Sequence, residues 1–230
     1  PIKDKKSKVA QTILKVNGGH NRSIEGYGNG IGFITELELF MRDNSYLNLK
    51  CNCTVIRGKD FTETRNYPTA PYIESLANYD FQLSYFTPRT DRIRPYVKFG
   101  LETGGYRINE LNSDLQNESV NFGLGLILTT SSQFRASLDF FEYQKENNWE
   151  VWQRENFFGY FDKEMVSSGI NLDWFPGNNQ EFRLKAFIYG IKANNARAYR
   201  VNQNGYMTSS SDAINPFQVS ETAFQIRYKY

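Results

Sequence analysis

The sequence predicts an all-β fold: an antiparallel transmembrane β-barrel with about ten visible strands, forming part of a larger barrel. Three observations predict it. Apolar and polar residues alternate along nearly every strand-like stretch. Connections alternate strictly between tight turns and long polar segments. Aromatic residues make up 16% of the chain, with 15 Tyr and 18 Phe, as expected for strands with interfacial aromatic girdles. Alternation carries the argument because successive side chains of a strand point to opposite faces.

The predicted strands are 9–17, 33–42, 46–57, 79–87, 92–103, 119–130, 133–143, 164–175, 181–193 and 218–230. In the first, Ala10, Thr12, Leu14 and Val16 face out provided Lys15 and Asn17 face in. In the third, Cys51 and Cys53 share a face with Leu47, Leu49 and Val55, and read as small apolar residues rather than a disulfide or metal pair. The fifth is the clearest. Ile93, Pro95, Val97, Phe99 and Leu101 share one face, and Arg92, Arg94, Tyr96, Lys98, Gly100 and Glu102 the other.

Tight turns join strands two to three (43–45), four to five (88–91), six to seven (131–132) and eight to nine (176–180), all built from turn-forming residues. The connections 18–32, 58–78, 104–118, 144–163 and 194–217 are long and largely polar. Outer-membrane barrels show this asymmetry between periplasmic turns and extracellular loops.

Aligning the strands sorts the charges. The outward set includes Leu37, Leu39, Leu49, Phe81, Leu83, Val97, Phe99, Leu101, Phe122, Leu124, Leu138, Phe140, Ile170, Leu172, Leu184, Ile188, Phe224 and Ile226. The predicted lumen-lining set is Glu36, Glu38, Lys50, Arg92, Arg94, Lys98, Glu102, Arg135, Asp139, Asp173, Arg183, Lys185, Arg227 and Lys229. A charge facing lipid near the midplane costs about 2–4 kcal/mol, which accounts for the sorting. Phe40, Tyr46, Tyr85, Phe86, Phe134, Trp174, Phe175 and Phe182 cluster beside the short turns and suggest an interfacial girdle. The alternative is a large soluble barrel or sandwich with a charged outer surface.

Composition narrows the remaining classes. With 230 residues, 40% hydrophobic content and a mean hydropathy of -0.59, the chain is long enough for one large domain and has no apolar run near the roughly 20 residues of a transmembrane helix. The formal charge of +2, without a basic cluster interleaved with aromatics, argues against nucleic acid. Residues 1–8 read as a charged approach linker and 9–230 as the barrel domain. The start at Pro1, without an initiator Met or signal peptide, leads us to expect a longer polypeptide.

No chemistry is expected. The single histidine, His20, falls in a predicted loop, and no Ser-His-Asp arrangement can be built around it. No metal-ligand spacing or phosphate loop occurs, so no metal, no cofactor and no enzymatic activity are expected. Glu36 and Glu38 could do acid–base work but are expected to pair with lumen arginines. The connection 144–163 carries Trp149 and Trp152, candidate loop contacts for a sugar or a partner protein. Net positive charge in the lumen set would favour anionic or polar solutes; an interlocked ion-pair network filling a small barrel is the competing expectation.

Two stretches, NLDWFPGNNQEFRLKAFIYGIKA at 171–193 and NPFQVSETAFQIRYKY at 215–230, resemble the C-terminal barrel of a Bacteroidota outer-membrane family catalogued as domain of unknown function 5916. The resemblance covers roughly the last third of the chain, and its motifs are structural. It implies a location in the bacterial outer membrane, contact with its lipid, and a setting of polysaccharide handling. It also implies an N-terminal carbohydrate-binding-type module, which this sequence lacks, and further strands after Tyr230. On that reading the chain is a channel or binding protein for glycans or other polar solutes. The alternative is a non-conducting structural or partner-binding barrel within a larger outer-membrane complex.

Overall fold

The computed structural model describes residues 7–22, 28–54, 58–60, 73–90, 92–108, 114–154, 156–177 and 179–230. These residues form strands and turns in one antiparallel sheet, without a helix. Ten strands are long: β1 (Val9–Arg22), β2 (Gly28–Met41), β3 (Tyr46–Thr54), β6 (Asn78–Phe86), β7 (Ile93–Arg107), β8 (Asp114–Ser131), β9 (Phe134–Arg154), β10 (Phe157–Gly177), β11 (Gln180–Val201) and β13 (Phe217–Lys229). Three are short: β4 (Gly58–Asp60), β5 (Ile73–Ser75) and β12 (Met207–Ser209). The long strands lie side by side in chain order, and β13 pairs with β11 along its whole length. Among the described residues β1 and β13 do not pair with each other, so the sheet is open between those two edges.

Each predicted strand coincides with one long strand. The long connections do not fare as well. β9 and β10 each run 21 residues and β11 runs 22. Most of 144–163 is therefore paired hairpin, as are much of 104–118 and the start of 194–217. His20 lies in β1 opposite Ile31, not in a loop. Val55 and the greater part of 58–78 lie outside the described residues. Polarity misleads at this end because a hairpin held by its backbone ladder needs no apolar face to persist once it is anchored below.

Register makes the two faces continuous. Leu14, Leu37, Leu49, Leu83, Phe99, Phe122 and Tyr143 stand opposite one another in turn across β1, β2, β3, β6, β7, β8 and β9. Further round, Leu138, Ile170, Ala186 and Phe224 continue the apolar face. A bulge in β9 preserves it. Gly125 pairs with Asp139 and Leu124 with Phe141, leaving Phe140 as the extra residue. Phe140 and Phe141 can then both stay on the apolar face, while Asp139 and Glu142 both stay on the polar one.

The packed core sits at the hairpin end, not in the middle of the sheet. Leu115, Phe158, Tyr160, Val201 and Met207 form a buried cluster, with Tyr106, Ile108, Trp152 and Tyr199 packed against it. β12 closes onto the end of β11 through Tyr199, Arg200 and Val201. Burial and the neighbouring Glu150 carboxylate, which accepts the Tyr160 hydroxyl, push that hydroxyl well above its usual range. Below this cluster Asp162 ties three strands together. It accepts from Asn195 Nδ2 at 2.6 Å, Arg197 Nη2 at 3.1 Å and the Asn148 amide at 3.4 Å. Burial alone would raise its carboxyl, but these partners outweigh burial and hold it below the usual carboxylate range. Asn148 (φ 57°) and Asn195 (φ 50°) occupy the left-handed region, which Asn tolerates better than most residues.

Candidate functional site: the charged face of the sheet

Thirteen of the fourteen residues of the predicted lumen set lie in strands and fall on one face, and Arg92, in the β6–β7 turn, lines a cavity at its short-turn end. Alternation within each strand places them together, and the register joins the strands: Glu36 with Lys50, Asp80 with Glu102, Arg135 with Asp173, Arg183 with Arg227, and Glu181 with Lys229. Lys15 joins them from β1 and pairs with both Glu36, at 3.2 Å, and Glu38. This settles the orientation of β1. It also corrects the expectation that Glu36 and Glu38 pair with arginines. The partner is a lysine, because Lys15 stands directly opposite Glu36. Glu36 is completed by Asn48 Nδ2 at 2.7 Å. Ile34, Phe187 and Val219 are apolar members of this face that the charge pattern did not announce.

Side chains on this face reach past a neighbouring strand. The Tyr96 hydroxyl on β7 donates to Asp139 on β9, across β8, and Lys98 Nζ lies 3.6 Å from the same carboxylate. The crossing is possible because Gly125 stands between them. A Cβ there would lie 2.4 Å from the Tyr96 ring and 2.5 Å from the Leu138 carbonyl oxygen. Tyr96 is only 5% exposed as a result. Phe40, Tyr46, Phe86 and Tyr96 form a row of rings at centroid spacings of 4.9, 5.7 and 5.3 Å. The register puts this row on the charged face, which corrects the expectation that Phe40, Tyr46 and Phe86 belong to an outer girdle. Phe134, Trp174, Phe182 and Tyr228 do line up on the apolar face near the short turns.

Trp149 and Trp152 do not lie in a loop. Both lie in β9. Trp149 packs against Phe161 and Phe217, with Lys163 Nζ 4.8 Å above its ring. Trp152 packs on the buried cluster. Lys163 in turn meets Glu146 at 2.5 Å, and Glu146 accepts from Asn117 Nδ2 at 2.8 Å. Lys163 and Glu146 are 8% and 9% exposed. Sequence reasoning missed this pair because both residues fell in segments read as loop.

Charge is graded along the face. Glu36, Glu38, Asp80, Glu102, Asp139, Glu142 and Glu146 lie toward its middle and hairpin end, interleaved with Lys15, Lys50, Lys98 and Lys163. Arg89, Arg92, Arg94, Arg135, Arg183, Lys185, Arg227 and Lys229 gather at the short-turn end, where Asp173 and Glu181 both pair with Arg183. Asp43, in the β2–β3 turn, is held below the usual carboxylate range because the Ser45 hydroxyl and amide donate to it at 2.6 and 2.9 Å. Among the described residues no group of three or more His, Cys, Asp and Glu could hold a metal ion.

No family model matches the chain and no curated protein matches it, so the resemblance noted above rests on the stretches 171–193 and 215–230 alone.

Proposed function

We propose that the chain is a bacterial outer-membrane β-barrel, a channel or binding protein for glycans or other polar solutes that pass or dock along its charged face. The observation that carries the reading is the exposed apolar face. Leu14, Val16, Phe81, Val97, Leu101, Phe122, Leu124, Phe140, Val166, Ile188, Phe224 and Ile226 are all exposed large hydrophobics. Soluble monomers rarely expose apolar patches beyond a few hundred Å². On β10 the apolar face runs from Trp174 to Val166, about nine residues, close to the roughly 9 to 11 that a tilted membrane strand needs. Above it Lys145, Glu164 and Lys192 stand side by side on the same face, as expected where lipid gives way to water. The edges of β1 and β13 need hydrogen-bond partners in lipid; on this reading they are where the sheet is completed into a larger barrel.

The mechanism requires no chemical step. Solutes follow fixed charges, as in other pores with charged linings. The test is liposome swelling with neutral sugars: size-dependent swelling supports a channel, and silent proteoliposomes contradict it. The links from Tyr96 and Lys98 to Asp139, which cross one strand, favour a second reading, a filled and non-conducting barrel that serves as a subunit of a larger complex. Co-purification with a stoichiometric partner, together with silent liposomes, would support that one.

A further inference from the structure

The short-turn end of the charged face differs from the rest of it. Away from it several bases have acids: Lys15 meets Glu36 and Glu38, Lys98 meets Asp139, and Lys163 meets Glu146. At this end Arg89, Arg92, Arg94 and Arg135 line one cavity of about 280 Å³ together with Ile127 and Thr129. Among the described residues, no carboxylate forms an ion pair with any of the four. Asp173, directly opposite Arg135, is turned to Arg183 at 3.4 Å. Asp91 lies outside the described residues.

We propose that this cavity binds a doubly charged tetrahedral oxyanion: free phosphate or sulfate, or a phosphate monoester carried on a saccharide. The inference deepens the channel reading and rests on its assignment of the charged face to the lumen. Three features point to a ligand instead of a merely basic surface. The arginines come from separate elements, the β6–β7 turn, β7 and β9, and converge on a volume at the lower end of ligand-sized cavities. One of them is fixed in advance. Arg94 donates from Nη2 to the Asn44 carbonyl at 2.9 Å and from Nε to the Thr87 carbonyl at 3.3 Å, and its guanidinium lies 5.4 Å from the Phe86 ring centre. Arg94 is therefore held while its remaining N–H groups stay available. The residues are also all arginine, whose planar fork matches oxyanion geometry where lysine offers only a point charge. Like charges concentrated in a partly enclosed cleft raise the local concentration of counter-anions. A dianion answers four guanidinium groups that meet no carboxylate among the described residues better than a singly charged carboxylate ligand does. Thr129, whose amide is tied to the Arg92 carbonyl at 2.8 Å, brings a hydroxyl to the same wall.

The test is calorimetric titration of the full chain in detergent at pH 8 and low ionic strength with sodium sulfate, sodium phosphate and sodium acetate, followed by glucose 6-phosphate. The proteins are the wild type, Arg92→Gln/Arg135→Gln, and Lys145→Gln/Lys192→Gln, which removes two positive charges from the opposite face. The inference expects saturable sulfate or phosphate binding, acetate weaker by tenfold or more, a loss of at least tenfold in the arginine variant, and no change in the lysine variant. Tighter binding of the sugar phosphate than of free phosphate would make the carried group the ligand; the reverse order would make it the free ion. Absence of saturable binding by the wild type, or equal binding by all three proteins, overturns the site. Liposome swelling with neutral sugars separates the two readings. Swelling without arginine-dependent binding removes the site and keeps the channel. Arginine-dependent binding without swelling removes the channel and keeps the site.

Discussion

Removing the lysine of the Lys163–Glu146 pair should be among the most destabilising single changes on the charged face. The separation is 2.5 Å and both partners are more than nine-tenths buried. At an effective dielectric of about 20, two unit charges at that distance attract by roughly 7 kcal/mol, and desolvation of both groups offsets most of it. Lys163→Met fills the same volume but leaves Glu146 charged, buried, and supported among the described residues by Asn117. Breaking one side of a buried pair costs about 3–5 kcal/mol, and loss of the cation above Trp149 adds roughly 0.5–2 kcal/mol. Replacing both, Lys163→Met with Glu146→Gln, removes the orphan charge and keeps an acceptor for Asn117, so the double variant should lie within about 1 kcal/mol of wild type. Equilibrium urea unfolding in lipid vesicles measures all three, with tryptophan emission as the probe because Trp149 sits on the pair. A cost below about 1 kcal/mol for Lys163→Met would refute the reasoning. It would mean that water reaches the pair and that the hairpin end is not the packed core described here.

Three further outcomes are expected. Leu101→Arg, on the apolar face, should destabilise the bilayer-embedded protein by about 2–4 kcal/mol, measured by urea unfolding in vesicles, whereas Gly100→Ala next to it acts by a different route, since its Cβ would lie 2.5 Å from the Asn121 amide. Gly125→Ala should push Tyr96 off Asp139 and cost about 1–3 kcal/mol, read from thermal unfolding and from a more exposed Tyr96 in ultraviolet difference spectra. Asp162 has a depressed carboxyl, so its contribution is present above the unfolded-state value and lost as pH falls below about 4; exchange protection of the Asn148 backbone amide and the Asn195 side-chain amide, relative to intrinsic rates at each pH, should fall there, and Asp162→Asn should abolish that acid dependence.

Much of the fold was legible because one physical rule acts on every strand. A polar residue on the apolar face is costly, so alternation survives even where individual strands are short. Lys15 shows this: one charge oriented β1, and its pairing with Glu36 and Glu38 bears it out. The rule reached no further than the band it acts on. Above that band the hairpins β9–β10 and β10–β11 continue as polar, aromatic strands, and a reading based on apolarity ended them too early. The bulge at Phe140 was hidden for a related reason, since two adjacent phenylalanines look like a break in alternation instead of a device that keeps it. Thirteen of the fourteen charged residues could be assigned to a face from the sequence. Their partners could not, because pairing depends on register and side-chain reach: Glu36 meets a lysine, Arg183 takes both Asp173 and Glu181, and Arg89, Arg92, Arg94 and Arg135 meet no acid among the described residues.

The most direct test of the central claim uses a native side chain. Cys51 lies on the apolar face, exposed, opposite Phe81 in β6 and Thr35 in β2. With Cys53→Ser removing the second thiol, the protein is reconstituted in vesicles and treated with a membrane-impermeant maleimide, before and after unfolding in detergent and urea. The account predicts a Cys51 that stays unlabelled in the bilayer and labels fully once unfolded. Rapid labelling of the folded protein in vesicles would place that face in water and contradict the membrane reading.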